Sequence, residues 1–76
     1  MNLNMLEMLI DEGYNATMVT VGGEEFVEVR VNGKIFWLNY IFEESDNSSR
    51  VEVGELARMN CQTVPSVWDA MCLMAS

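Results

Sequence analysis

Residues 25–42 read EFVEVRVNGKIFWLNYIF, two runs of strand-forming residues joined by Asn32 and Gly33. A two-residue hairpin turn of type I′ needs positive φ at both central positions, which Asn and Gly tolerate best. The turn also sets the register, which we expect to begin at the pair Val31–Lys34 and to continue toward the far ends of both strands. The stretch therefore predicts an antiparallel β-hairpin at the centre of the chain.

The two faces of this hairpin differ in character, because side chains alternate between faces with a period of two. The face expected to meet the core carries Val27, Val29, Val31, Phe36, Leu38 and Tyr40, and the register pairs Tyr40 with Glu25. The other face carries Phe26, Glu28, Arg30, Ile35, Trp37, Asn39 and Ile41. Two interpretations of this second face stay open. In the first, the C-terminal segment or a second subunit covers this face, since an isolated hairpin is marginally stable. In the second, the face is an exposed contact surface, since Trp and Arg are enriched at binding hot spots.

The segments before the hairpin predict a helix and a first strand. Residues 3–12 place Leu and Ile at helical spacing, with Asn2 or Asn4 as the N-terminal cap and Gly13 at the C-terminal end. Residues 14–21 then alternate as a strand, and a Gly-Gly pair makes the turn into the hairpin. These elements predict a three-stranded antiparallel meander whose apolar face needs a helical cover.

The chain after the hairpin allows more than one assignment. Residues 43–49 are polar throughout and predict an acidic loop. Residues 50–60 form either a helix with a capping box, or a short fourth strand over 50–53 followed by a helix over 54–60. The Val-Glu-Val alternation, broken by Gly54, favours the second assignment.

The C-terminal segment predicts a helix that starts near Pro65. Its apolar stripe consists of Val64, Val67, Trp68, Met71, Cys72 and Ala75, with Met59, Met71 and Met74 as flexible filling. The predicted fold is therefore a single α+β domain over residues 1–76. It contains an N-terminal helix, a three-stranded antiparallel meander, an acidic loop and one or two C-terminal helices packed on the sheet.

Composition narrows the class of partner. Twelve acidic residues against four basic ones give a net charge of −8, which disfavours binding to nucleic acid and suits a protein with a basic surface. The alternative is that the charge only keeps a small Met-rich chain in solution. No apolar run approaches the ~20 residues of a membrane span, and the N-terminus lacks signal-peptide features, so we expect a cytoplasmic protein. A core this small makes oligomerisation or partner binding plausible.

The residues that usually carry catalysis are missing or isolated. The chain has no His, so neither Cys61 nor Cys72 has an imidazole to activate it, and no phosphate-binding glycine motif occurs. Two cysteines are too few for a disulfide scaffold or a zinc site, and we expect both to be reduced, small apolar residues. We therefore expect no enzyme activity, no catalytic residue, no cofactor and no metal.

Acidic residues gather at one end of the predicted hairpin. The candidate partner-binding residues are Glu24, Glu25, Glu28, Glu43, Glu44 and Asp46, with Trp37 and Tyr40 as aromatic anchors. Carboxylates flanked by aromatic rings could imitate the phosphates and bases of a nucleic acid. The resulting hypothesis is a mimic of nucleic acid that occupies a basic groove on another protein, and its alternative is a solvated acidic rim.

Residues 55–70, ELARMNCQTVPSVWDA, resemble the helix-turn-helix of DNA-binding regulators. Leu56, Ala57 and Val67 match its packing positions, but Cys61 replaces the usual turn glycine and Pro65 lies inside the recognition helix. That helix would offer no Arg or Lys to read bases. Despite these departures, an atypical DNA-binding regulator is kept as the second alternative for function.

Residues 1–21, MNLNMLEMLIDEGYNATMVTV, followed by the strands EEFVEVRVNGKIFWLNYIF, resemble the small acidic phage-encoded anti-CRISPR proteins. The similarity is one of pattern over roughly the first forty residues: an Asn-capped helix, a Tyr-led strand and an Asn/Gly hairpin. The resemblance implies a helix, three strands and further helices, and a CRISPR effector as the partner whose DNA recognition is blocked. The long acidic run of the family's second half is absent, so no inhibitory residue carries over.

The first alternative function is a homodimerising module that uses Trp37, Ile35 and Phe26.

Overall fold

A five-stranded antiparallel sheet, preceded by one helix in the chain and followed by another, makes up this protein in a computed structural model that describes residues 1–76. The elements are α1 (Asn2–Asp11), β1 (Asn15–Val21), β2 (Glu24–Val31), β3 (Lys34–Glu43), β4 (Ser48–Glu55), a 3₁₀ turn (Leu56–Arg58), β5 (Asn60–Val64) and α2 (Val67–Ala75). The strands lie in the sheet in sequence order, so each pairs with its neighbours along the chain. Neither helix is long and apolar enough to cross a membrane.

The central hairpin follows the predicted register. Asn32 and Gly33 have φ values of 51° and 78°, as a type I′ turn requires. Backbone pairing of β2 with β3 runs from Val31–Lys34 back to Val27, which faces Leu38. This register decides which side chains of every other strand face the core.

The prediction of a three-stranded sheet was wrong, because β4 and β5 extend it to five strands. Residues 50–53 belong to a longer strand in which Val51 and Val53 pair with Tyr40 and Leu38. The helix predicted over residues 54–60 is reduced to a three-residue 3₁₀ turn. Gly54 is the reason that β4 and β5 can lie so close, since a Cβ there would be 2.9 Å from the carbonyl oxygen of Asn60.

Both helices pack on the same face of the sheet. The buried core consists of Met5, Leu9, Val27, Val29, Phe36, Leu38, Val51, Val53, Val67, Ala70, Met71 and Met74. Trp68, Cys72 and Ala75 were expected in the stripe of α2 but are exposed, because residues 67, 70, 71 and 74 form the buried face of this helix. Val64, also expected in that stripe, belongs to β5. Met59, expected as filling, is 93% exposed.

The ends of the helices are closed by local hydrogen bonds. Gly13 has φ of 89° and donates its N–H to Ile10 O, while the Tyr14 N–H donates to Leu9 O, a Schellman motif at the end of α1. The Ser66 hydroxyl oxygen accepts from the Asp69 N–H at the start of α2. The glycine end was predicted from the sequence, but the serine cap was not.

Asn2 does not cap α1, contrary to the sequence-based expectation, and bridges two strands instead. Its Nδ2 donates to the Glu25 carbonyl oxygen at 3.1 Å, and its Oδ1 accepts from the Tyr40 N–H at 2.8 Å. These two backbone groups would bond to each other in the expected Glu25–Tyr40 pair. The side-chain amide therefore takes the place of a direct strand pairing.

The same amide fastens the first turn of α1 to the sheet. Nδ2 of Asn2 also donates to Oδ1 of Asn39 at 3.0 Å. Asn2 is the one buried polar residue, at 8% exposure, and its amide makes three hydrogen bonds to β2 and β3. A buried amide satisfied in this way specifies where the helix begins on the sheet.

The connections between β3 and β4 and between β4 and β5 are four-residue loops of the same form. Each ends on a residue in the left-handed region, Asn47 with φ of 53° and Met59 with φ of 51°. Asn adopts this conformation readily, but for Met it costs roughly 1 kcal/mol. The second loop is therefore strained at an exposed side chain.

We predict that Asn2→Ala lowers the free energy of unfolding by about 1–3 kcal/mol, because the Glu25 carbonyl and the Tyr40 N–H are left without a partner. Urea denaturation followed by circular dichroism measures the change. Asn4→Ala is the matched control, since Asn4 lies exposed on the same helix. Equal losses in the two variants would contradict a bridging role for Asn2.

Candidate functional site

One side of the sheet has no helix on it. We call this side the open face, and the pairing register assigns its residues. They are Asn15, Thr17, Val19 and Val21 from β1, Glu24, Phe26, Glu28 and Arg30 from β2, Ile35, Trp37, Asn39, Ile41 and Glu43 from β3, Ser48, Arg50, Glu52 and Gly54 from β4, and Cys61 and Thr63 from β5. The C-terminal segment extends the sheet and does not cover this face.

A stacked aromatic pair lies in the middle of the open face. The rings of Phe26 and Trp37 have centroids 5.4 Å apart and are inclined by 20°. Glu28 holds the indole in place, because its Oε1 accepts from Trp37 Nε1 at 3.0 Å. Its other oxygen, Oε2, accepts from Arg30 Nε at 3.4 Å. The pair is thus an ordered aromatic surface.

A groove of about 400 Å³ opens beside this pair. Gly54 lies directly opposite Trp37 in the register, so no side chain fills the space next to the indole. Leu56 and Met59, from the loop between β4 and β5, line the groove together with the aromatic pair. We call it the open-face groove.

Two carboxylates and no basic residue line the open-face groove. Glu55 is paired with Arg58 at 3.6 Å. Glu52 is half-buried and has no hydrogen-bond or ion-pair partner. The groove therefore joins apolar walls to one carboxylate that is available to a ligand.

Five of the six acidic residues predicted to share one end of the sheet do so, whereas Glu28 lies farther along β2, opposite Trp37. Glu24 and Glu25 follow the turn between β1 and β2, and Glu43, Glu44 and Asp46 lie at the turn between β3 and β4. We call these five residues the acidic end. Their charges are not equally available, because Glu43 is paired with Arg50 at 3.3 Å.

Asp46 is engaged within its own turn. Its Oδ1 accepts from the Ser48 hydroxyl at 2.6 Å and from the Ser48 N–H at 3.2 Å. The Ser48 hydroxyl, as the main cause, holds the pKa of Asp46 below its ordinary value of 3.8. The side chain orders the turn, and Glu24, Glu25 and Glu44 remain as exposed carboxylates with no partner.

The two predicted anchors lie on opposite sides of the sheet. Trp37 belongs to the open face, whereas Tyr40 packs partly against the core beneath the helices. Tyr40 lines a separate apolar groove of about 300 Å³ with Phe42 and Met1. The structure therefore does not bring Trp37 and Tyr40 into one contact site.

Sequence reasoning missed most of the open-face groove, including Glu52, Glu55, Leu56, Met59 and Asn60. The Val-Glu-Val alternation that favoured a fourth strand placed Glu52 on the same face as Trp37 once the strands were paired. No local pattern indicated Leu56 and Met59, which were assigned to a helix or to the core. Cys61, expected to be a small apolar residue, is a free exposed cysteine in the groove wall.

The helix-turn-helix interpretation of residues 55–70 was wrong. These residues contain the end of β4, the 3₁₀ turn, all of β5 and the start of α2. Residues 60–64 pair with β4 as a strand, so the first two elements of the motif do not exist.

Comparison with protein-family models, with curated proteins and with solved structures gave no match to this chain.

We predict that Ser48→Ala raises the pKa of Asp46 toward 3.8. The native pKa is depressed, so the charged carboxylate stabilises the turn above the ordinary pKa, and this stabilisation is lost as the pH falls through the folded value. Titration of the Asp46 carboxyl by NMR measures both midpoints. Ser49→Ala, at the next residue, is the control and should leave the midpoint unchanged. A midpoint that Ser48→Ala leaves unchanged would contradict the assignment.

Proposed function

We propose that this protein is a non-catalytic binding protein that docks its open face on a basic surface of another protein and inhibits it by covering that surface. The observation that carries the proposal is the uncovered sheet face with the ordered Phe26–Trp37 pair at its centre. Aromatic residues in such positions are enriched among the anchors of protein interfaces.

The size of the open face supports a docking role. Five strands at a spacing of about 4.8 Å, each contributing about seven residues at about 3.3 Å, give a face of roughly 24 by 23 Å. Standard interfaces bury about 800 Å² of accessible surface on each partner. The side chains of the open face and the adjoining acidic end offer an area of this order.

Charge supports a basic partner. The open face carries four carboxylates, Glu24, Glu28, Glu43 and Glu52, against two arginines. Glu25 and Glu44 add unpaired charge at the adjoining acidic end. A field of this sign accelerates encounter with a positively charged surface and repels nucleic acid.

A basic groove that normally holds nucleic acid is the partner surface that best fits these features. The sequence resemblance to small acidic anti-CRISPR proteins names one such class of partner, a CRISPR effector whose DNA recognition the protein would block. On this proposal the protein acts in the cytoplasm of the host cell, where the effector is found.

The test is a pull-down of the tagged protein from a bacterial lysate that contains CRISPR effector complexes. We expect an effector subunit to be recovered at about 50 mM salt and lost at about 500 mM, because salt screens the attraction between the charges of the two proteins. Glu24→Lys with Glu44→Lys should weaken recovery at least tenfold. Glu7→Lys with Glu12→Lys, on the helical side, changes the net charge equally and is the control.

Three outcomes of this experiment are informative. Loss of binding by the Glu24/Glu44 variant and not by the control supports docking through the acidic end and the open face. Equal loss by both would show that only the net charge matters. Failure to recover an effector subunit would remove the CRISPR proposal.

Self-association is the second candidate function, and the edge of the sheet favours it. Strand β1, NATMVTV, is an edge strand with no charged residue and no proline. Natural proteins usually protect such edges with charge, proline or a bulge. A second copy could pair with it antiparallel and continue the sheet, which would also extend the open face.

We predict that a dimer formed in this way resists high salt and is disrupted by Thr17→Lys, which places a charge on the exposed edge strand. Light scattering after size-exclusion chromatography measures the mass. Thr63→Lys, on the other edge strand β5, is the matched control. A monomer at all salt concentrations would eliminate this candidate.

A further inference from the structure

We infer that the open-face groove receives the side chain of an arginine. This inference rests on the proposed function and names the chemistry of the partner's anchoring residue. An arginine combines an apolar stem with a planar cation, and the groove combines apolar walls with a carboxylate.

Glu52 supplies the charge that an arginine requires. It lies on the open face between Asn39 and Thr63 in the register, half-buried and without a hydrogen-bond or ion-pair partner. The nearest basic residue on β4, Arg50, is occupied by Glu43 at 3.3 Å. A guanidinium in the groove would therefore meet a carboxylate that the protein itself leaves free.

The aromatic pair favours a guanidinium over an ammonium. Trp37 and Phe26 line the groove. A planar guanidinium can stack on these aromatic rings in addition to making a cation–π interaction with them. Trp37 is fixed by its hydrogen bond to Glu28, so little ordering is needed when a ligand binds. The ring pair and Glu52 together form a recognition site for a flat cation.

The loop residues Leu56 and Met59 supply the apolar wall for the stem. Met59 is 93% exposed and adopts left-handed backbone geometry, where the equivalent loop has Asn47. The side chain of Met59 therefore makes almost no contact within the fold. A methionine is flexible and polarisable, which suits contact with an alkyl chain.

The test is an NMR titration of the isotope-labelled protein with Nα-acetyl-arginine methylamide. We expect a dissociation constant of about 1–10 mM, with shifts concentrated at the Trp37 indole N–H, the Gly54 amide and the Met59 methyl group. The citrulline analogue has nearly the same shape without the charge and should bind at least fivefold more weakly. The lysine analogue should also bind more weakly than arginine.

Glu52→Gln should weaken arginine binding about fivefold, because it removes the charge and keeps the shape. Glu7→Gln is the matched control, since it removes the same charge from the exposed surface of α1 on the other side of the sheet, and it should leave the affinity unchanged. Amide spectra of both variants check that the fold is retained. Equal binding of arginine and citrulline, or equal losses in the two variants, would overturn the inference.

The same variants separate this inference from the proposed function. A partner that is captured equally well by the native protein and by Glu52→Gln would overturn the arginine pocket and keep the docking face. Specific arginine binding in the groove, with no basic protein captured from the lysate, would support the pocket and remove the proposed inhibitor.

Discussion

The two-residue turn at Asn32 and Gly33 is the constraint on which the rest of the structure depends. Both residues have positive φ, and this backbone geometry fixes the pairing of β2 with β3. A slip of one residue would exchange the two faces, burying Glu28 and Arg30 and exposing Val27 and Val29. Because β1, β4 and β5 pair outward from this hairpin in sequence order, the same turn determines which of their side chains face the helices.

The helices use only one of the two faces that this register creates. Buried residues of α1 and α2 meet Val27, Val29, Phe36 and Leu38, and Asn2 joins α1 to the hairpin at the point where β2 and β3 part. None of the elements within residues 1–76 lies on the other side of the sheet. The aromatic pair, the groove and the free carboxylate of Glu52 are consequences of this one-sided cover, and the proposed docking role follows from them.

Charge is organised by this architecture more finely than the net value of −8 suggests. Glu28, Glu43, Glu55 and Asp46 are committed to partners within the fold, and they orient an indole, three arginines and a turn. Glu24, Glu25, Glu44 and Glu52 have none of these internal roles. Solvent-exposed ion pairs within a protein contribute little to its stability. The difference between paired and unpaired carboxylates therefore matters chiefly for where a cationic partner can bind.

The sequence by itself determined the α+β class, the first helix and its glycine end, the hairpin register and the clustering of Glu24, Glu25, Glu43, Glu44 and Asp46, because these depend on turn chemistry and period-two alternation within a few residues. The tertiary structure alone decided the fate of residues 54–64. The local pattern of residues 54–60 suits a helix, but pairing with β4 satisfies the backbone and Gly54 permits the close approach of β5. Local propensity is worth only tenths of a kcal/mol per residue, so an available strand edge outweighs it. The same competition placed Leu56 and Met59 at the groove and moved Asn2 from a helix cap to a bridge between strands, contacts between residues far apart in the chain that no local pattern encodes.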